Sequence, residues 1–468
     1  MRIHVFCLVA LLHGFVLTAA SAACPSEADV AIADAIAAAA AAGGGRVELS
    51  AGIFDICQPV VLATNVHLRG AGRGATVLRT AQTLTGPSSQ GAAIVGIGIA
   101  NVSVSDLTLD QRTNNRVGNG IAFVPANLDF SGNVPYNIVV EGTQVLGAPV
   151  VGGHQYMIWN MRGQHVKIVN NWVDGGFLSS PSDFTPQEGI ESYGGYDIMV
   201  VGNTVEGIAG ACLNFGSAGH PNTRTVGLFI RDNYAVRCGV GLNIGTANPA
   251  DPQINAHSII TGNIFVDARV TGISVWIAAG TAEHDLYIAG NTIRNVGPAN
   301  PPYVASGILL FAGADATIVG TTLRDNRIYD VRGTGFGISL WNYPNARVLD
   351  NSIVNVAREG IYAENSRDIE IRGNRIEGAG LRGIFTGSAD VTGQIVTDNV
   401  VINWGPGSDG IRIDGARYGV VQGNIFRRAD TARPEPIVLG AGSCGVTVAG
   451  NVAAYSGTLL RVSPPPCP

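Results

Sequence analysis

The sequence predicts an all-β chain wound as a parallel β-helix, and three observations predict it. Asparagine recurs after a β-type triplet at Asn203, Asn233, Asn263, Asn291, Asn326, Asn351, Asn374, Asn399, Asn424 and Asn451, in steps of 30, 30, 28, 35, 25, 23, 25, 25 and 27 residues. A repeat of this length marks stacked units that bury a core only against one another. A second strand in each unit carries a Gly-Ile pair, as at Gly189-Ile190, Gly272-Ile273, Gly307-Ile308, Gly337-Ile338, Gly360-Ile361, Gly383-Ile384 and Gly410-Ile411. The short β-runs are parted by Gly, Asn and Asp, with no helical period between them. Composition agrees: 63 glycines and only 14% charged residues suit a narrow interior and corners that need positive φ. A solenoid of about a dozen coils follows, with the asparagines stacked as a ladder at one corner.

Taken in order, residues 1–22 read as an export signal. Arg2 supplies the charged start, 5–17 the apolar stretch, and Ala20-Ser21-Ala22 the small-residue cleavage pattern. A secreted or periplasmic protein, cleaved near Ala22, is the expectation. Ser21 stands where a lipoprotein signal prefers Leu, which argues against an anchor on Cys24. No later stretch is long and apolar enough to span a bilayer as a helix. Beyond Cys7, six cysteines remain, and an even number in an exported chain suggests disulfides. Proximity favours Cys24–Cys57, Cys212–Cys238 and Cys444–Cys467. Neither Cys-x-x-Cys nor a His-rich cluster has zinc spacing, so no structural metal is expected.

Residues 23–80 form an N-terminal cap and the first coils, continuous with the β-helix of 81–468. The Ala-rich run 29–42 has the composition of a short helix. Gly43-Gly44-Gly45, the strand Arg46-Val-Glu-Leu, Ala51-Gly52-Ile53-Phe54 and Val66-His-Leu-Arg-Gly-Ala-Gly-Arg-Gly-Ala-Thr76 follow. A helix across the first coil would cover a backbone edge that otherwise invites pairing. The formal charge of −6 and a single lysine, Lys167, leave no basic footprint for nucleic acid.

The opening 26–80 resembles that of the pectate-lyase-like superfamily of right-handed parallel β-helix proteins, and the Asn repeats carry the resemblance to about residue 455. The resemblance implies a right-handed solenoid and a polysaccharide as partner. It does not select a reaction, because lyases, hydrolases, epimerases and phage depolymerases share the fold. A trimer is compatible with it.

Aligning the Gly-Ile strands with Ile inward sets the outward columns by alternation. One reads Trp159, Glu191, Asn214, Asn243, Ser274, Leu309, Ser339, Tyr362, Phe385, Arg412; the next reads Met161, Tyr193, Gly216, Gly245, Trp276, Phe311, Trp341, Glu364, Gly387, Asp414. Aromatic faces that stack on sugar rings, beside amides that bond hydroxyls, suggest a glycan groove of His154, Trp159, Arg162, Tyr193, Asn214, Asn243, Trp276 and Trp341. Glu188 and Glu191 flank an inward Ile and are expected to face solvent together, with Asp183 before them. Three residues of extended chain part them by ~10 Å, within reach of the carboxyl spacing of an inverting glycosidase. The segment resembles the Asn-Thr-Asp-Gly-x-Asp strand of polygalacturonase-type hydrolases, with Glu at both acidic positions; an adjacent Asp pair, Gly-His-Gly and Arg-Ile-Lys are missing.

A second cluster, Glu359, Glu364, Asp409, Arg412 and Asp414, lies six to eight coils on, or ~30–40 Å, too far to share the site. A glycoside hydrolase using the Glu pair without a cofactor is the leading expectation. A lyase or epimerase acting on a uronic-acid glycan is the alternative, with Ca²⁺ on Glu188, Glu191 and Asp183 and Arg162, Arg224 or Lys167 as base. A glycan-binding surface solenoid without catalysis is the third.

Overall fold

The computed structural model describes residues 24–80, 91–113, 118–127, 132–147, 155–176, 187–216, 224–246, 254–297, 305–428, 435–454 and 460–462. Its strands pair only in parallel, coil upon coil, in three long sheets of 18, 15 and 15 strands. Each coil contributes to all three. The third sheet holds the Gly-Ile strands, from Val60–Val61 through Gln187–Tyr193 to Leu460–Val462.

Local sequence explains the corners. Each ladder asparagine follows a residue in the left-handed region: Gly202 (φ 65°), Asp232 (57°), Gly262 (68°), Gly290 (64°), Asp325 (52°), Asp350 (55°) and onward to Gly450 (62°). Gly, Asp and Asn are the residues that tolerate that conformation, which is why they precede the repeat. The asparagine then bonds across coils. The Asn263 backbone N–H and Nδ2 both donate to Asn291 Oδ1, at 3.0 and 2.9 Å, while Asn291 Nδ2 donates to the Ile260 carbonyl and to Asn326 Oδ1, both at 3.0 Å. The same pattern runs to Asn451. It also begins one coil earlier than the repeat indicates, at Asn171, where Asn170 (φ 55°) takes the left-handed place.

The Gly-Ile glycine answers a different constraint. A Cβ on Gly189 would lie 2.4 Å from the Cys212 carbonyl oxygen and 2.5 Å from the Val205 side chain, so only glycine lets the chain pack this closely there. Inside, Ile190, Leu213, Leu242, Ile273, Ile308 and Ile338 stack with no exposure, each worth about 1.5–3 kcal/mol of burial. Cys212–Cys238 joins adjacent coils and Cys24–Cys57 ties the N-terminal segment to the first coil. Cys467 lies outside the described residues, as does the leader 1–22.

The expected helix is Glu27–Ala41. Ser26 accepts the Asp29 N–H and its own N–H donates to Asp29 Oδ2, closing a capping box, while Ile32 and Ile36 bury on the core. Among the described residues, no helix is long and apolar enough to cross a membrane.

Candidate functional site

The two outward columns pair in the order that alternation gives, from Trp159↔Glu191↔Asn214↔Asn243 to Phe385↔Arg412 and from Met161↔Tyr193↔Gly216 to Gly387↔Asp414. Register alone does not give depth, and depth corrects the expectation at several residues, the buried Met161, Asn214 and Ser339 among them. Glu191, expected in solvent, is fully buried, and Trp159 is only 4% exposed. The cause is crowding on the outer face. Tyr156 stacks on Trp159 with ring centroids 5.0 Å apart, and Tyr156 and Tyr193 pack over an outer apolar cluster of Ala122, Val124, Trp159 and Met161. Trp159 is therefore part of a buried cluster and not an exposed platform for a sugar ring.

Glu188 remains half-buried and its Oε2 accepts the Ala211 N–H at 2.6 Å. Burial raises its pKa to about 8 despite that bond. Glu191 is driven well above the usual carboxylate range, first by burial and then by the charge of Glu188. Tyr193 and Asn214 stand near enough to oppose this, yet neither Glu191 oxygen completes a hydrogen bond among the described residues. A buried carboxyl left unbonded costs stability, and such costs gather where chemistry is done.

Beyond Asn214, Asn243 Nδ2 donates to Asn214 Oδ1 at 2.9 Å. One coil on, a trough of about 280 Å³ opens between Ser274, Trp276, Ser306, Leu309, Phe311 and Trp341. Trp276 is 59% exposed and meets Phe311 edge to face at 5.6 Å. Trp341 is half-buried against Tyr362 at 4.8 Å. Ser306 belongs to this wall although the columns omit it; it occupies the place before Gly307, which the same alignment assigns to the outer face.

The second cluster is an ion-pair network. Arg382 reaches the fully buried Glu359 at 3.0 Å and Asp409 at 3.7 Å; Arg412 reaches Asp409 at 3.6 Å and Asp414 at 2.9 Å. The Tyr362 hydroxyl donates to Glu364 at 2.6 Å. Burial raises the Asp409 pKa against the pull of Arg412 and Arg382. These acids are engaged with cations, whereas no ion pair reaches Glu191 among the described residues.

The candidate bases of an elimination reaction are dispersed. Lys167 and Arg224 are exposed on the first sheet, and Arg162 sits at the corner after Met161 with φ 54°. His154 and Asp183 lie outside the described residues. Cys24, Asp29 and Cys57 bring possible ligand atoms together, but the two sulfurs are bonded to each other.

Sequence reasoning missed one interior group. Glu283 points inward on Ala282–His284, fully buried, over the equally buried Asn255 of the coil below, and neither side chain completes a hydrogen bond among the described residues. Burial raises the Glu283 pKa well above normal, with nearby Asn255 opposing. Its place at an inward position of a strand is the signal that would have found it.

Residues 304–408 and 336–458 match the family described as right handed beta helix region. No curated protein matches the sequence. Among solved structures, the chain is similar to the A-module of the mannuronan C-5 epimerase AlgE4 from Azotobacter vinelandii, at 17% identity over 93% of this chain and 96% of that chain with a TM-score of 0.41. It is also similar to PfbA, a surface adhesin of Streptococcus pneumoniae (15% identity, 74% and 87% covered, TM-score 0.45), and to a hyperthermoactive exopolygalacturonase from Thermotoga maritima (12% identity, 90% and 87% covered, TM-score 0.46). These likenesses concern fold.

Proposed function

We propose that this right-handed parallel β-helix of pectate-lyase-like architecture is an exported polysaccharide-active enzyme that hydrolyses glycosidic bonds at Glu188 and Glu191. The observation that carries the reading is a buried carboxyl whose oxygens complete no hydrogen bond among the described residues, three residues along the strand from a half-buried one, on the face that also bears the amide pair and the aromatic trough. Environments that push two carboxyls to different pKa values suit them to different roles. Glu191, with the stronger hold on its proton, donates it to the leaving glycosidic oxygen. Glu188, ionised first, takes a proton from the water that attacks the anomeric carbon, so the bond breaks with inversion and the pair ends with its proton exchanged between partners. Glu191 is fully buried, so this reading requires the side chains over it to open for the leaving oxygen.

The disulfides Cys24–Cys57 and Cys212–Cys238 among the described residues suit an oxidising compartment. The test is incubation with a panel of polysaccharides while following reducing ends and the ultraviolet absorbance of unsaturated uronates. New reducing ends without absorbance support hydrolysis. Both together indicate elimination, and a calcium requirement lost in Glu188→Gln would make the pair metal ligands. Binding without cleavage leaves a glycan-binding solenoid.

A further inference from the structure

The aromatic trough and the acid pair lie on one face but differ in chemistry. From the coil of Trp159 to that of Phe385, neither outward column contains a lysine or arginine, while Glu191 and Glu364 lie within them and Glu188 beside them. Arg358 borders the trough, over the Phe336 ring that packs on Trp341, and is paired with Glu359; Arg382 and Arg412 come beyond it and are held by Glu359, Asp409 and Asp414. A polyuronate brings one carboxylate per sugar, and along the trough each would meet acids and cations already paired with acids, which costs binding rather than supplying it. The trough instead offers two tryptophans, Phe311 and Leu309, with the hydroxyls of Ser274 and Ser306 as its polar handles. Such a lining recognises apolar ring faces and methyl or acetyl substituents, oriented by few hydrogen bonds.

Position adds a length requirement. Ser274 is three rungs from Glu191, through Asn214 and Asn243, and three rungs are ~14 Å, the span of about three sugar units. We infer that the trough is a remote anchoring subsite for an uncharged glycan rich in deoxy or acetylated sugars, engaged about three units from the bond that is cut. The inference rests on the proposed function for the position of that bond, while its charge selectivity stands on the trough itself.

The test uses the full-length protein with Glu191→Gln to halt turnover, and tryptophan fluorescence as the binding signal. The probes are acetylated glucomannan and rhamnan oligosaccharides, with oligogalacturonate and oligomannuronate of matched length. The expected result is saturable binding of at least one neutral probe, weakened at least tenfold by Trp276→Ala and largely restored by Trp276→Phe, with no comparable binding of either acidic probe. Because Trp276 is mostly exposed, the Ala variant should keep its melting temperature. In the active protein, Trp276→Ala should raise KM for chains longer than about four units with little effect on kcat, and should not affect shorter ones. Acidic probes binding as tightly as neutral ones, neutral binding indifferent to Trp276, or no neutral binding at all would each overturn the inference. Cleavage of a polyuronate that needs Glu191 but not Trp276 would overturn it while leaving the hydrolase reading intact. Trp276-dependent binding of neutral glycans without any cleavage would do the reverse.

Discussion

Glu188 and Glu191 share a strand and a face and differ in depth, and depth sets their titration. As a base, Glu188 must be ionised, and burial holds its pKa at about 8, so turnover should climb as pH rises through about 8. Glu191 must keep its proton, and its pKa lies higher because Glu188's charge adds to burial, so turnover should fall only at still higher pH. A pH–rate profile with an optimum below neutrality would contradict this assignment. Glu188→Gln and Glu191→Gln should each lower kcat about 10²–10⁴-fold with glycan binding retained; wild-type rates in both, alongside loss in Glu359→Gln or Asp409→Asn, would move the site to the second cluster. Both acids and their common strand were legible from Gln187-Glu-Gly-Ile-Glu-Ser-Tyr193 and its Gly-Ile signature. The burial of Glu191 was not, because it depends on how Tyr156, Trp159 and Tyr193 from two coils crowd over it. Glu283 carries a simpler consequence. A carboxyl whose pKa is raised on folding favours the native state less as pH rises from the unfolded value towards the folded one, by ~1.4 kcal/mol per pH unit. Glu283→Gln should therefore stabilise the protein at pH 7 and lose that advantage near pH 4, as read from denaturant midpoints at the two pH values.

At the scale of the element, the amide ladder is the most regular feature. A ladder asparagine in the middle takes part in four side-chain hydrogen bonds, as Asn291 does with Asn263, Ile260 and Asn326. Asn451, at the end, takes part in three and borders solvent at 9% exposure. Removing one member also strands its neighbours' buried groups at about 1–3 kcal/mol each. Asn291→Ala should thus cost several times more stability than Asn451→Ala in equilibrium or kinetic unfolding; equal costs would mean that the ladder decorates the corner without holding it. The repeat was readable because its left-handed Gly or Asp is forced by backbone geometry. Asn171 escaped because Asn170 performs that task in a less familiar spelling.

For the whole molecule, the N-terminal helix matters more than its size suggests. Ile32 and Ile36 close the first coil, and a solenoid without such a cover presents a strand edge to other chains. Deleting 24–42 should convert a discrete species into higher oligomers by light scattering, with the strand signal in circular dichroism preserved. The solenoid's regularity has another outcome. Its rungs form a one-dimensional lattice, so positions along the face change in whole steps and without rotation. Excising 374–398, one full repeat lacking cysteine, would set Asn399 where Asn374 stood. Arg412 and Asp414 would then come one step nearer Trp341, while Glu188, Glu191 and the trough kept their mutual spacing. Such a chain can lengthen or shorten its working surface by duplication or loss of a repeat, without redesigning the machinery already in place.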